Sequence, residues 1–251
     1  VGDLLLGEGY RLIVECGASP AETALMLRIA AEGHRDLCLG QGQELCWVRN
    51  PKPISPDDVL EIFQQKTSPA FNVALRLGAI AAGTKGDLCD VLTRFSAALG
   101  VAYQINDDLE DLRADDQTFG RALRPSVLLA LAHQAASDDE RQVLAAFQHN
   151  LNPGRRRPAE LQQRGATNLE PGGPRRQGND SLQPIERAAP CVCELRNLLA
   201  KLDVENTAIA LLERHRNAAL DTLQPLKHVG LKCLLHRLTR RILPDSSLRS
   251  G

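Results

Sequence analysis

The chain has 251 residues, room for one large domain or one domain with an appendage. Its 30 Lys and Arg balance 31 Asp and Glu to a formal net charge of −1, which excludes a generally basic nucleic-acid binder. Apolar residues make up 43% of the chain but aromatics only 3%, so Leu and Ala carry the core, and they favour helices over a β-sandwich or barrel.

Helix punctuation then appears in chain order. Val1-Gly2-Asp3-Leu4-Leu5-Leu6 opens directly inside an apolar helical pattern and reads as a cut end; a helix is expected over 2–16. Ser19-Pro20-Ala21-Glu22 supplies an N-cap, a proline for the first turn and an acid three residues after the cap, and predicts a bent helix over 20–49. Gly40 and Gly42 within it cost helix stability, about 1 kcal/mol each, which points to close helix packing or a kink. Ser55-Pro56-Asp57-Asp58 repeats the capping logic ahead of 56–66, and Ser68-Pro69 predicts a break before 69–82. Further helices are expected over 87–114, 123–135 and 138–149, the last behind Ser137-Asp138-Asp139-Glu140. No alternating strand set or βαβ unit is visible.

Composition changes at residue 151. Residues 151–190 hold six prolines and five glycines with Arg155-Arg156-Arg157 and Arg175-Arg176, and such a stretch cannot offset its ordering entropy by burial. It reads as a disordered linker or insert between a core over 1–150 and C-terminal helices of the same bundle over 191–251. There Leu195, Leu198, Leu199 and Leu202 form one apolar stripe, Ile209, Leu211 and Leu212 open another, and the end is basic through Lys232, Arg237, Arg240 and Arg241. The seven cysteines are odd in number and mostly in apolar helical contexts, so buried free thiols in a reducing, cytoplasmic setting are expected. No apolar run approaches the roughly 18 residues of a membrane span, and no signal peptide is evident.

The chemistry concentrates in Tyr103-Gln104-Ile105-Asn106-Asp107-Asp108-Leu109-Glu110-Asp111. On a helix Asp107 and Asp111 stand one turn apart on one face, with Asp108 about 100° round. Crowded carboxylates on an otherwise apolar helix suit a hard divalent cation such as Mg²⁺, which takes oxygen ligands and bridges to phosphates; a solvated acidic helix end is the competing reading. Gln104, one turn before Asp107, can orient a substrate or cap a neighbour. Lys66-Thr67 at the expected break can hold a phosphate by charge and hydrogen bonds, or simply complete a helix dipole. Arg121 and Arg124, beside Gly120 and Pro125, can fold back to the acids as phosphate contacts, or form a solvated loop pair.

Taken in order, Gly2-Asp3-x-Leu5-Leu6, Gly40-Gln41-x-x-Glu44-Leu45, Lys66-Thr67, Tyr103-Gln104-x-x-Asp107-Asp108-x-x-Asp111 and Arg124-Pro125-Ser126 resemble the trans-isoprenyl diphosphate synthases, the farnesyl and geranylgeranyl diphosphate synthase family. The resemblance covers residues 1–135 well, the C-terminal helices only in character and the linker not at all. It implies an all-α helical bundle around a central apolar cavity. It also implies a Mg²⁺-dependent prenyl transfer: an allylic diphosphate loses diphosphate, the allylic cation adds isopentenyl diphosphate, and a proton leaves. Position by position, Asp107, Asp108 and Asp111 match the second Asp-rich motif as metal ligands. Lys66 and Thr67 match a diphosphate-contacting pair, Lys66 and Gln104 carry catalytic roles, and Arg121 or Arg124 stands where the family has lysines. Asp3 matches a structural aspartate.

The family's first Asp-rich motif, which precedes the Gly-Asp-x-Leu-Leu stretch, has no counterpart here, nor do the usual isopentenyl diphosphate residues. The chain is therefore expected to carry half of the metal site, and to be inactive or nearly so alone, as a fragment of a catalytic prenyltransferase. A non-catalytic regulatory subunit of the same fold and a class I terpene cyclase are the alternatives. The cyclase is disfavoured by the missing Asn/Ser/Glu metal triad and by the scarcity of aromatics for a cation cage. The family is usually dimeric, so a homodimer or a pairing with a related subunit is expected, without nucleic acid.

Overall fold

A computed structural model describes residues 2–84, 87–114, 124–150 and 192–244. The described residues form helices α1 (Gly2–Glu15), α2 (Pro20–Arg49), α3 (Pro56–Ala81), α4 (Asp87–Arg113), α5 (Val127–Ala135), α6 (Asp138–Asn150), α7 (Val192–Lys201), α8 (Val204–Thr222) and α9 (Val229–Ile242), with no strand among them. The stretch over 151–190 lies outside the described residues.

The expected caps form. Ser19 accepts from the Glu22 N–H while the Glu22 carboxylate accepts from the Ser19 N–H, a reciprocal box at the start of α2. Ser55 accepts from the Asp58 N–H at the start of α3. Ser126 does the same for Leu128 and starts α5 at Val127 rather than at 123.

α4 is the central helix, flanked by α3 on one side and α8 on the other. Its Phe95, Leu99, Ile105 and Leu109 are sealed from solvent. They belong to one core with Val59 and Phe63 of α3, Leu128 and Leu129 of α5, Leu195 and Leu199 of α7, and Ala208 and Leu212 of α8. Each such Leu, Ile or Phe contributes about 2 kcal/mol by leaving water. α7 and α8, which follow the Pro/Gly-rich stretch, thus belong to the core that carries the acidic motif. Polar ties add to this: Arg196 of α7 donates to the carbonyls of Leu112 and Ala114 at the end of α4, and Arg113 pairs with Glu205 of α8 at 2.8 Å. A smaller cluster of Met26, Ile29 and Ile80 secures the α2–α3 side next to α1. α1 itself buries no residue fully, and Leu4, Leu5, Leu12 and Val14 are exposed.

Two expectations are corrected. α3 does not break near residue 67: it runs from Pro56 to Ala81 with Pro69 inside. Proline lacks the N–H that would reach the Gln65 carbonyl, at a cost of about 3 kcal/mol in an isolated helix, but here the neighbours hold the segment straight through. Gly40 of α2 packs so closely on it that an added Cβ would lie 2.6 Å from the Lys66 nitrogen and 2.7 Å from the Gln65 carbonyl carbon. From the opposite side Gly100 of α4 meets Ser68, where an added Cβ would lie 2.7 Å from its Cα, and the Ser68 hydroxyl donates to the Ala97 carbonyl. Lys66 and Thr67 therefore sit inside a helix clamped by two glycines, not at a junction. The glycine penalty read from the sequence is the cost of that approach. The second correction concerns the cysteines. All six within the described residues are free, as expected, but Cys38, Cys46, Cys193 and Cys233 are exposed because each falls on the outward side of its helix, and Cys16 is exposed just past the end of α1; Cys191 lies outside the described residues.

Candidate functional site

Four charged groups are linked into one cluster: Glu44 of α2, Lys66 of α3, Arg124 just before α5 and Asp111 near the end of α4. Glu44 of α2 is 6% exposed and takes two cations on its two oxygens. Lys66 Nζ of α3 stands 2.5 Å from Glu44 Oε2, and Arg124 Nε stands 4.0 Å from Glu44 Oε1. The Gly40 contact explains the first distance: with no side chain one turn before Glu44, α2 settles directly on the backbone that carries Lys66. Thr67 is half-buried beside it, and Gln104 is buried on α4. Tyr103 packs edge-on against Phe71 with ring centroids 6.1 Å apart, fastening α4 to α3 just beyond the Lys-Thr pair.

The three acids do not behave alike. Asp107 and Asp111 are half-buried, one turn apart on α4. Burial and the charge of Asp107 push the Asp111 carboxyl above its usual range, while Arg124 pulls it back. Arg124 thus lies electrostatically between Glu44 and the acid pair. Asp108 turns elsewhere: its Oδ2 accepts from the Val127 N–H at 2.7 Å and the Ser126 hydroxyl at 3.0 Å. It serves the start of α5, where unpaired N–H groups and the helix dipole favour an anion. Desolvation dominates all the same and raises its carboxyl to about 7. Arg121 lies outside the described residues.

Among the described residues no three His, Cys, Asp or Glu side chains converge as a ready-made metal cage. The donor chemistry of Asp107 and Asp111 nevertheless fits a hard divalent ion. Both offer carboxylate oxygens, their mutual repulsion is only partly neutralised, and Mg²⁺ commonly takes one or two carboxylates with phosphate and water completing its shell.

One turn beyond Thr67, at Ala70, an apolar groove of about 680 Å³ begins and follows α3 toward Ala81 between α1 and α2. Leu37, Val73 and Leu77 line it, with one polar contact at its side, Tyr10 Oη to His34 Nδ1 at 3.3 Å. Two features escaped the sequence. Glu44 was visible only as part of a motif with no role attached, although an acid one turn after a packed glycine is a usable signal. The turning of Asp108 toward α5 depends on a partner 19 residues downstream and had no local signal.

The chain is thus an all-α bundle with paired acids and paired cations at one end and an apolar groove leading away from them. Comparison with known proteins gives the lineage. The sequence profile of the polyprenyl synthetase family matches residues 1–157, and the chain belongs to that family. It is 32% identical over 130 residues to the farnesyl diphosphate synthase of Escherichia coli, a match over 46% of this chain and 43% of that protein. It is 21% identical over 120 residues to the geranylgeranyl diphosphate synthase of Methanosarcina mazei, over 48% of this chain and 37% of that one. The matches thus span less than half the length of these relatives. In structure it resembles the geranylgeranyl pyrophosphate synthetase of Pyrococcus horikoshii, with a TM-score of 0.71 at 19% identity over 97% of this chain and 65% of that chain. It also resembles the geranylgeranyl pyrophosphate synthase of Corynebacterium glutamicum complexed with isoprenyl diphosphate and magnesium, with a TM-score of 0.71 at 18% identity over 96% and 61%. The fold likeness reaches past residue 157, consistent with the packing of α7 and α8 on the core. No described helix is long and apolar enough to cross a membrane.

Proposed function

We propose that this chain carries the diphosphate- and metal-binding part of an isoprenyl diphosphate synthase site, used to condense an allylic diphosphate with isopentenyl diphosphate. The single observation behind this reading is the junction of Lys66, Glu44 and Arg124 beside Asp107 and Asp111, opening onto an apolar groove that starts at Ala70.

Each residue has a physical task. Lys66 and Arg124 offer charge to the diphosphate, and Arg124 adds a planar fork for its oxygens. Thr67 offers a hydroxyl next to Lys66, and Gln104 a buried amide one turn before the acids. Asp107 and Asp111 would hold Mg²⁺, with Asp108 set aside to anchor α5. The bound ion supplies electrostatic stabilisation to the charge that grows on the leaving diphosphate. The groove receives the prenyl tail and keeps water from it, which protects an allylic cation from hydrolysis. Arg121 is proposed as a further diphosphate contact from the family resemblance alone.

One observation favours a second reading, a non-catalytic subunit that pairs with a related synthase. One oxygen of the third acid is committed to α5, since Asp108 Oδ2 accepts from both Val127 and Ser126. A single experiment addresses both. Calorimetry of an allylic diphosphate with and without Mg²⁺ is run alongside a prenyl-transfer assay with labelled isopentenyl diphosphate. The expected result is Mg²⁺-dependent binding, weakened at least tenfold, about 1.4 kcal/mol, by Asp111→Asn and by Lys66→Ala. Product formation selects the catalytic reading, and binding without turnover selects the partner subunit. Binding indifferent to Mg²⁺ and to both substitutions refutes the proposal.

A further inference from the structure

We propose that Glu44 is the positioning residue of the anion site: it holds the Lys66 ammonium and the Arg124 guanidinium on one carboxylate, so that two cations from different elements meet a diphosphate as a preset pair. This rests on the reading that Lys66 and Arg124 receive a diphosphate.

Three observations converge. First, Glu44 is buried on α2, and its two oxygens face different cations, Oε2 toward Lys66 at 2.5 Å and Oε1 toward Arg124 at 4.0 Å. Second, the placement is enforced by backbone. α2 reaches α3 through Gly40, whose missing side chain leaves the Lys66 nitrogen only 2.6 Å from where a Cβ would stand, so Glu44 cannot drift from Lys66 without the helices parting. Third, a buried ion pair is weak evidence of stability, because desolvation offsets its attraction. A carboxylate shared by a Lys that is 15% exposed and an Arg that is 51% exposed is better explained by what the cations do at their open side. Without Glu44 the two cations repel, and Lys66 has no counter-charge in a largely enclosed place.

The sign of the effect separates this role from simple charge balance. Removing a carboxylate from an anion site makes the site more positive, so bulk electrostatics predicts tighter anion binding. A positioning role predicts weaker binding, because the diphosphate must then assemble the pair itself.

The test titrates the full chain with inorganic pyrophosphate in the presence of Mg²⁺ at low ionic strength and follows the heat. Glu44→Gln, which keeps size and hydrogen-bonding capacity, is expected to weaken binding by on the order of tenfold, the worth of one charge-assisted contact. The same substitution placed on Lys66→Ala is expected to have a smaller effect than on wild type, since Glu44 acts through the cations and only Arg124 then remains for it to hold. Glu44→Asp keeps the charge and shortens the reach, and should fall between; it carries the test if the glutamine variant does not fold. Unchanged or tighter binding in the variant tested overturns the proposal, as does a full, additive loss on the Lys66→Ala background. If wild type binds pyrophosphate and Lys66→Ala weakens it while Glu44→Gln does not, Glu44 alone is refuted. If wild type does not bind pyrophosphate, the diphosphate reading falls and Glu44 falls with it.

Discussion

Gly40 and Gly42 lie two residues apart in the same helix, yet the structure predicts opposite responses to alanine. At Gly42 an added Cβ meets nothing within 4 Å. Gly42→Ala should therefore stabilise by about 1 kcal/mol, the difference in helix propensity and chain entropy. At Gly40 the same methyl would stand 2.6 Å from the Lys66 nitrogen, 2.7 Å from the Gln65 carbonyl carbon and 2.9 Å from the Lys66 Cα. Relaxed carbon contacts need about 3.5 Å or more, so α2 and α3 must part by close to an ångström. The obstructing atoms are backbone and cannot rotate away. Overpacking of this kind costs roughly 1–3 kcal/mol or more, and the upper part of that range exceeds the propensity gain, leaving Gly40→Ala net destabilised by about 1–2 kcal/mol. Urea denaturation followed by far-UV circular dichroism reads this directly, as a lower midpoint for Gly40→Ala and a higher one for Gly42→Ala at constant slope. A Gly40→Ala protein at least as stable as wild type would refute the argument that α2 sits on the Lys66 backbone, and with it the reason given for the Lys66–Glu44 distance.

Two further expectations concern the ends of α4. Arg196→Ala removes two guanidinium donations to the Leu112 and Ala114 carbonyls and should cost about 2 kcal/mol in urea, with Arg196→Lys recovering only part because an ammonium lacks the fork. Asp108 sets a pH dependence. Its folded value of about 7 lies above its ordinary 3.8, so between these limits the folded chain binds a proton that the unfolded chain does not. Stability from this group is therefore gained as pH falls from above 7 toward 4. Relative to Asp108→Asn, wild type should gain several kcal/mol, at most roughly 4, from pH 8.5 to pH 4.5 in metal-free buffer. His133 and His215, whose values burial lowers, are common to both proteins and cancel in the difference. A flat difference in urea stability across that range would show that Asp108 is not desolvated at the start of α5.

Much of the bundle was legible because its rules are local. Ser19 and Ser55 start their helices as their spacing with Glu22 and Asp58 requires. Phe95, Leu99, Ile105 and Leu109 are buried where a helical period puts them. The error at Pro69 has the opposite cause. A proline does end most helices, and only the tertiary clamp of Gly40 and Gly100 carries α3 through it. The acids divide in the same way. That Asp107 and Asp111 share a face follows from 3.6 residues per turn, whereas the turning of Asp108 toward Val127 requires knowing where α5 begins in space. The exposed cysteines show the limit of composition: an apolar neighbourhood in sequence does not say which side of the helix a thiol takes.

The charges at this end of the bundle alternate: Lys66 against Glu44, Glu44 against Arg124, Arg124 against Asp111. Four groups from α2, α3, α4 and the segment before α5 are thereby kept together in partial burial. Such a row adds little to folding, since each attraction is offset by lost hydration. It has, however, two unfinished ends. At one end Lys66 shares its only ion-pair partner among the described residues with Arg124, which leaves capacity for an anion. At the other, Asp111 is pushed up by burial and by the charge of Asp107 and only partly relieved by Arg124, which leaves capacity for a cation. An anion and a divalent ion bound together would satisfy both ends at once, and each would make the site better for the other, because a metal on the acids would leave more of the Arg124 charge to the anion. Binding of the two should therefore be cooperative, and Arg124, the member common to both halves of the row, is the residue through which that cooperation runs.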